Sequence, residues 1–328
     1  MEDQNLALRI FLSVVGILGV FGNGLACVVI ARVRFMHTLT NGFIFNQALI
    51  DLLGSVTLLS SRLVVPTPEP FPQGDGGALL CVLWVTNVFV FQMFFTSTFN
   101  LVALTLERYL AIVFPFRYQL LGTRRNAIMV ILGVWVSAFL FNSFGFFIQY
   151  YEDGQCKQTL VAHPEVLGVA IITITYAIPV AVMMVVYVHI TVVLKREAAR
   201  VEPTVATASA GDRQQGAGPS VGTAPEGQGE SLMRARRNTF KTLLTVCVAF
   251  TVCWTPNEII FFLFNLGAGV DLSSPVYICS VGLAASNGCI NPFIYAIKYR
   301  QFRKALKTLL GFRNQTEMSL AAVSSRHR

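Results

Sequence analysis

Hydrophobic residues gather into seven long runs along this chain, and the charges are pushed into the gaps between them. The runs fall at about 7–31, 40–65, 79–106, 127–150, 166–194, 239–266 and 273–297. Each is long enough to cross bilayer hydrocarbon, which takes about 20 helical residues. Backbone polar groups in hydrocarbon must be satisfied within the chain, so each run predicts a helix. The pattern predicts an all-α membrane protein, a seven-transmembrane helix bundle. An odd number of crossings places the two termini on opposite faces. The predicted division is a short N-terminal segment over 1–6, a membrane domain over 7–297, and an interfacial helix with a tail over 298–328.

Composition agrees. Of the 328 residues, 54% are hydrophobic and 13% charged, where a soluble domain carries about 25% charged residues. The spans use nearly the whole length, leaving room for one membrane domain and no separate ectodomain. The acidic start, Met1 to Asn5, and the length of the first run predict no cleavable signal peptide.

Lys and Arg set the predicted orientation. Roughly 22 of the 25 basic residues fall on one side, and only Arg9, Arg62 and Lys157 on the other. The positive-inside bias puts the C-terminus in the cytoplasm and the N-terminus outside. It also explains the net charge of +8. Basic inner loops meet anionic lipids, so no nucleic-acid partner is implied. The sequon at Asn314–Thr316 falls in the tail, out of reach of glycosylation.

The loops are mostly short. The exception, about 196–231, is rich in Gly, Ala, Pro, Ser and Thr and predicts a disordered cytoplasmic loop. The outer loop 66–77 is Pro/Gly-rich and reads as loose. After the last run, Phe302, Leu306, Leu309 and Leu310 share one helical face and Arg303, Lys304 and Lys307 lie elsewhere, as suits a helix lying in the membrane interface. Of seven cysteines, Cys81 and Cys156 map to the outer, oxidising side, and a bridge between them is expected.

Ionisable and helix-breaking residues inside spans mark candidate sites. Asp51 sits mid-membrane in the second run, Ser97 in the third, and Asn287 and Asn291 in the seventh. Two readings stand open: a small hydrated cation site, or a knot of interhelical hydrogen bonds. Pro179, Pro256 and Pro292 each interrupt a span and kink it. Glu107-Arg108-Tyr109 closes the third run, where neighbouring Glu and Arg neutralise each other. Trp254, Asn257, Glu258 and Phe261 recur at i, i+3, i+4 and i+7 and so share a helical face. A carboxylate on that face pairs with a cationic ligand group or is hydrogen-bonded to neighbouring helices; both readings stand.

Together these residues resemble the rhodopsin-like (class A) G protein-coupled receptors across nearly the whole chain. The anchors are Gly22-Asn23, Asp51, Glu107-Arg108-Tyr109, Trp135, Pro179 with Tyr187, Phe250 with Cys253-Trp254-Thr255-Pro256, and Asn291-Pro292-Phe293-Ile294-Tyr295, in that order. The resemblance implies a plasma-membrane receptor coupling an outer ligand to a heterotrimeric G protein. It implies that Glu107 holds Arg108 at rest, that Tyr187 and Tyr295 swing inward on activation, and that Trp254 lies under the ligand with Phe250 a turn below. It implies an allosteric sodium site at Asp51, Ser97, Asn287 and Asn291, and no other cofactor. Arrestin and a receptor kinase are implied partners of a tail bearing Thr316, Ser319, Ser324 and Ser325.

The chain also departs from that family. Cys81 lies two residues further from Arg108 than is usual, Thr98 replaces an aliphatic relay residue, and Arg236 and Arg237 stand where some relatives place an acid to clasp the third-helix Arg. Signalling without ligand is therefore expected. The implied ligand pocket comprises Asn87, Val90, Phe91, Phe94, Asn257, Glu258, Phe261, Tyr277 and Val281. Val90 stands where amine-binding relatives carry an aspartate, and Ala285 where visual pigments carry the retinal lysine. A small peptide is the first expectation for the ligand, and a lipid or small organic molecule the second.

Other membrane functions fit less well. A transporter wants several deep charges and internal repeats; only Asp51 is deep, with Glu258 nearer the outside. An enzyme wants a nucleophile with a base or a ligand cluster, and His37, His163, His189 and His327 are scattered.

Overall fold

The computed structural model describes residues 2–61, 72–159, 163–211, 226–271 and 274–311, with the backbone alone for 2–5, 158, 197–211 and 226–237. The long helices are α1 (Glu2–Arg32), α2 (Leu39–Leu59), α4 (Val88–Val113), α6 (Arg124–Asn142), α8 (Ile178–Gly211), α9 (Glu226–Asn265) and α10 (Pro275–Lys298). Short ones join them: α3 (Asp75–Leu80), α5 (Pro115–Leu121), α7 (Pro164–Ile172) and α11 (Arg300–Leu309). The basic loops gather at one end of the bundle. A two-stranded hairpin, β1 (Gln149–Glu152) and β2 (Gln155–Gln158), lies at the other.

Local chemistry sets the helix starts. Thr38, Thr123 and Ser274 cap α2, α6 and α10, their hydroxyls accepting from the amides of Asn41, Asn126 and Tyr277. Pro275 then opens α10, where its missing N–H costs nothing. By length and hydropathy alone, six helices among the described residues suffice to cross a membrane. The seventh crossing is α10, 24 residues long. Its Ser286, Asn287, Asn291, Gly288 and Pro292 dilute the hydropathy of a helix that faces other helices, where Asn287, Asn291 and Pro292 are buried.

The third crossing is made of two pieces. A π-helical turn at Cys81–Val85 joins α3 toward α4, and Asn87 adopts left-handed backbone at φ 53°. The wide turn and the break at Asn87 absorb the two extra residues between Cys81 and Arg108. The bridge still forms: Cys81 is joined to Cys156 with Cα atoms 5.4 Å apart, which fastens the hairpin to the top of this crossing. A second π-helical turn, Thr173–Ala177, precedes Pro179 in the fifth crossing.

Several boundaries differ from the sequence expectation. The third crossing continues past Tyr109 to Val113. The fourth ends as helix at Asn142, passes through a 3-10 turn at Ser143–Phe147 and becomes β1, so the run to 150 is not one helix. The turn Asp153-Gly154 has positive φ at both residues, 53° and 75°, the tight-hairpin geometry that Asp-Gly favours. The loop expected over about 196–231 is helical to Gly211 and again from Glu226; Ala198, Ala199, Ala206, Ala208 and Ala210 support the first of these two extensions. The remainder, 212–225, lies outside the described residues, as do 66–71 of the outer loop and the tail bearing Thr316, Ser319, Ser324 and Ser325. Nor are the side chains of Arg236 and Arg237 described. Helix α11 buries Phe302 and Ala305 and exposes Arg300, Arg303, Lys304 and Lys307.

Candidate functional site

Beneath the hairpin the bundle encloses a cavity of about 450 Å³. All nine residues expected at a ligand pocket line it: Asn87, Val90, Phe91 and Phe94 from α4 and its break, Asn257, Glu258 and Phe261 from α9, and Tyr277 and Val281 from α10. The sequence reading did not place Asn142, Tyr176 and Ile148 there, yet they line it too. Asn142 donates to the Val88 carbonyl at 2.9 Å and so steadies the backbone beside the helix break. Asn257 donates to Ser280 at 3.2 Å, tying α9 to α10. Among the described residues, Glu258 is the only Asp, Glu, Lys, Arg or His lining the cavity, and it makes no hydrogen bond or ion pair there.

Trp254 forms the floor. Its ring meets the edge of Phe94 at 5.0 Å and lies 6.2 Å from Phe250 one turn below. Pro256 sits inside α9 just above it. The indole N–H of Trp254 is buried and has no partner among the described residues.

Under this floor lies a second, small cavity of about 30 Å³, bordered by Asp51, Ser97, Asn287, Phe250 and Trp254. Asp51 is the hub of a buried polar cluster. Its Oδ1 accepts from Gln47 at 3.1 Å and Ser97 at 3.3 Å, and its Oδ2 accepts from Asn291 at 2.8 Å. Gln47 also donates to Ser97 at 2.5 Å. The cluster runs on through Asn100, which donates to Gln47 Oε1 at 2.8 Å, to Asn46, which donates to Asn100 at 2.8 Å. It ends at Trp135, whose indole donates to Asn46 at 3.0 Å. Asn287 borders the small cavity, and Asn291 Oδ1 is buried and unpaired among the described residues. Both readings of these polar residues thus have geometric content: an interhelical knot is present, and beside it is room for one or two water-sized particles.

At the other end, Arg108 forms a two-pronged ion pair with Glu107, Nε and Nη2 each 2.6 Å from a carboxylate oxygen. Thr40 bonds to both, donating to Glu107 at 3.1 Å and accepting from Arg108. Tyr118 on α5 donates to Glu107 at 2.5 Å. Burial, reinforced by the Glu107 carboxylate, pushes the Tyr118 phenol up to about 12, so it remains a donor at physiological pH. Thr40 and Tyr118 had no signal in the sequence, since they reach the clasp from other elements. Tyr109 turns away from the clasp and bonds to His189 at 2.9 Å.

The two tyrosines expected to swing inward on activation have different partners. Tyr187 accepts from the Cys247 thiol at 3.6 Å and packs on Phe240. Tyr295 is fully buried against Phe302, its hydroxyl unpaired among the described residues. Pro292 lies where a Cβ on Gly22 would come 3.1 Å from its ring, so only a small residue suits α1 at this crossing.

The chain matches the 7 transmembrane receptor (rhodopsin family) profile over residues 22–295. It belongs to that family: it is a class A G protein-coupled receptor, a multi-pass protein of the plasma membrane that couples an extracellular ligand to a heterotrimeric G protein, and not an enzyme. Among similar proteins, galanin receptor type 2 of Rattus norvegicus is 27% identical over 318 residues, covering 94% of this chain and 77% of that one. Galanin receptor 2a of Danio rerio is 26% identical over 325 residues, covering 95% and 80%. The alpha-1A adrenergic receptor of Homo sapiens is 25% identical over 325 residues, covering 94% and 68%.

Proposed function

We propose that this receptor binds a small peptide through a cationic group held by Glu258, with its N-terminus outside the cell and its C-terminus in the cytoplasm. The observation that carries the ligand reading is a carboxylate that, among the described residues, is the single one on the wall and has no protein partner, in an otherwise uncharged and mostly apolar cavity. A carboxylate removed from bulk water is poorly compensated until a cation arrives. Phe91, Phe94, Trp254, Phe261 and Tyr277 add apolar contact and cation–π attraction around it. A cavity of about 450 Å³ holds a few side chains of a peptide. Val90 offers no charge on the third crossing, which separates this pocket from the aspartate-bearing sites of amine receptors. The galanin receptors among the relatives support the same ranking. The mostly apolar lining favours a lipid or small organic ligand as the second reading. Orientation rests on the concentration of Lys and Arg at the clasp end.

The mechanism follows as a shift between two states of the bundle. An agonist pressing on Trp254 displaces Phe250, and α9 swings about Pro256. Arg108 leaves Glu107 and meets the G protein, while Tyr187 and Tyr295 move into the space it opens. Agonist need only favour that state, and about 1–3 kcal/mol of coupling is typical. We further propose that Asp51, Ser97, Asn287 and Asn291 hold a sodium ion in the resting state. The carboxylate, the hydroxyl and the small adjoining cavity, which has no basic residue on its wall among the described residues, fit such an ion. The ion's charge would offset Asp51. Arrestin and a receptor kinase act on the Ser/Thr tail in this reading, and exposed Arg300, Arg303, Lys304 and Lys307 meet anionic lipids.

Peptide and metabolite libraries, read by nucleotide exchange on reconstituted G protein, test the ligand reading. Activators should carry a cation and lose at least about tenfold in potency with Glu258→Gln, as for loss of a charge-assisted bond. Neutral activators indifferent to that substitution would overturn it.

A further inference from the structure

Gln47 lies one helical turn before Asp51 on α2 and is completely buried. Its amide nitrogen carries two hydrogens, and its two acceptors are Asp51 Oδ1 at 3.1 Å and Ser97 Oγ at 2.5 Å. Its own oxygen is held at 2.8 Å by Asn100, which also donates to the Phe43 carbonyl at 3.2 Å. Asn46 in turn donates to Asn100, and Trp135 donates to Asn46. The amide is therefore fixed at both ends, with its donors directed at Asp51 Oδ1 and Ser97 Oγ, oxygens of two residues that would hold a cation.

We propose that Gln47 is a built-in competitor for the cation at Asp51, and that it sets how tightly this receptor holds sodium. The inference rests on the sodium reading above. An amide satisfies the lone pairs of Asp51 and Ser97 but brings no net charge. An ion entering the site still gains from the carboxylate, yet it must first turn Gln47 off both oxygens. Turning Gln47 also strains its bond with Asn100. The ion thus pays for two displaced hydrogen bonds, one of them to a carboxylate, and its affinity falls accordingly. Asn291 does not compete in the same way, since it serves the other carboxylate oxygen and has a spare buried oxygen of its own to offer.

The test is sodium-dependent thermal unfolding of the purified full-length receptor, with choline chloride keeping ionic strength constant. Gln47→Leu, and the closer-volume Gln47→Met, should lower the half-saturating sodium concentration by about tenfold, the effect of losing one donor to a charged group. Asp51→Asn should abolish the response. Equal half-saturation in wild type and both Gln47 variants, with Asp51→Asn unresponsive, overturns the role of Gln47 and leaves the sodium site standing. A flat response in wild type and in every variant removes the sodium site, and this inference with it. Should Gln47→Leu not fold, Gln47→Met and the shorter amide in Gln47→Asn carry the same expectation.

Discussion

Asn23 on α1 donates a 2.7 Å hydrogen bond to the Gly288 carbonyl, the very group that Pro292 leaves without its helical donor four residues on. The same side-chain nitrogen also bonds to Gly19 at 3.0 Å. A proline kink in hydrocarbon is tolerated only when the freed carbonyl finds another partner. Here the partner comes from a neighbouring helix, so the proline inside α10 and the packing of α1 are one feature.

Asn23→Ala should therefore destabilise the receptor by about 1–3 kcal/mol, the cost of leaving a buried polar group unpaired. Thermal unfolding in a detergent or nanodisc checks it. Gly22→Val should act in the same direction by forcing α1 off Pro292, and the two effects should not add, because the sites share that crossing.

Glu107→Gln should raise nucleotide exchange without ligand. The guanidinium loses a two-pronged charged partner, a change of about 1.5–3 kcal/mol in the resting state, or about tenfold or more in the active fraction while that fraction is small. Tyr118→Phe should act in the same direction more weakly, since it removes one donor to Glu107 and leaves the ion pair. A second-messenger assay on unliganded cells reads both, with wild type itself expected above mock-transfected cells.

Asn87 offers a stability test close to the ligand cavity. Its left-handed backbone suits Gly and is tolerated by Asn. Asn87→Gly should leave stability within about 1 kcal/mol of wild type, whereas Asn87→Val should destabilise by more than that, because a β-branched residue resists positive φ. Unfolding midpoints of the two variants, compared directly, decide it.

Glu258→Gln should separate stability from function. Replacing a carboxylate that has no protein partner among the described residues by a neutral amide should stabilise the unliganded receptor, by roughly 1 kcal/mol, as for other sites built for a ligand. The same substitution should weaken a cationic agonist. A midpoint that falls instead would show that Glu258 supports the fold.

The sequence made the crossings legible because hydrocarbon demands long apolar runs, and it exposed Asp51, Arg108 and Pro292 because each is costly there. The hairpin was less visible. Asp153-Gly154 is a strong turn signal, but Phe144, Phe146, Phe147 and Ile148 continue the apolar run of the fourth crossing past the true helix end at Asn142. The end of the third crossing was hidden likewise, since a helix that emerges into water does not stop where its charges begin. Helical phase grouped Asn257, Glu258 and Phe261 with Trp254, and the family resemblance brought in the cavity residues of the third and seventh crossings. Thr40, Tyr118 and Gln47 could be found in neither way: the first two reach the clasp from distant elements, and Gln47, although a turn from Asp51, shows its competing role only through the distances to both oxygens.

The polar line from Trp135 through Asn46, Asn100, Gln47 and Asp51 to Asn291 links α6, α2, α4 and α10. Four helices that share one chain of protons resist sliding past one another there. They act as a common axle, and the mouths at either end are the levers. A lipid-side alteration at Trp135, far from both ligand and transducer, should then change how stiffly the whole machine turns.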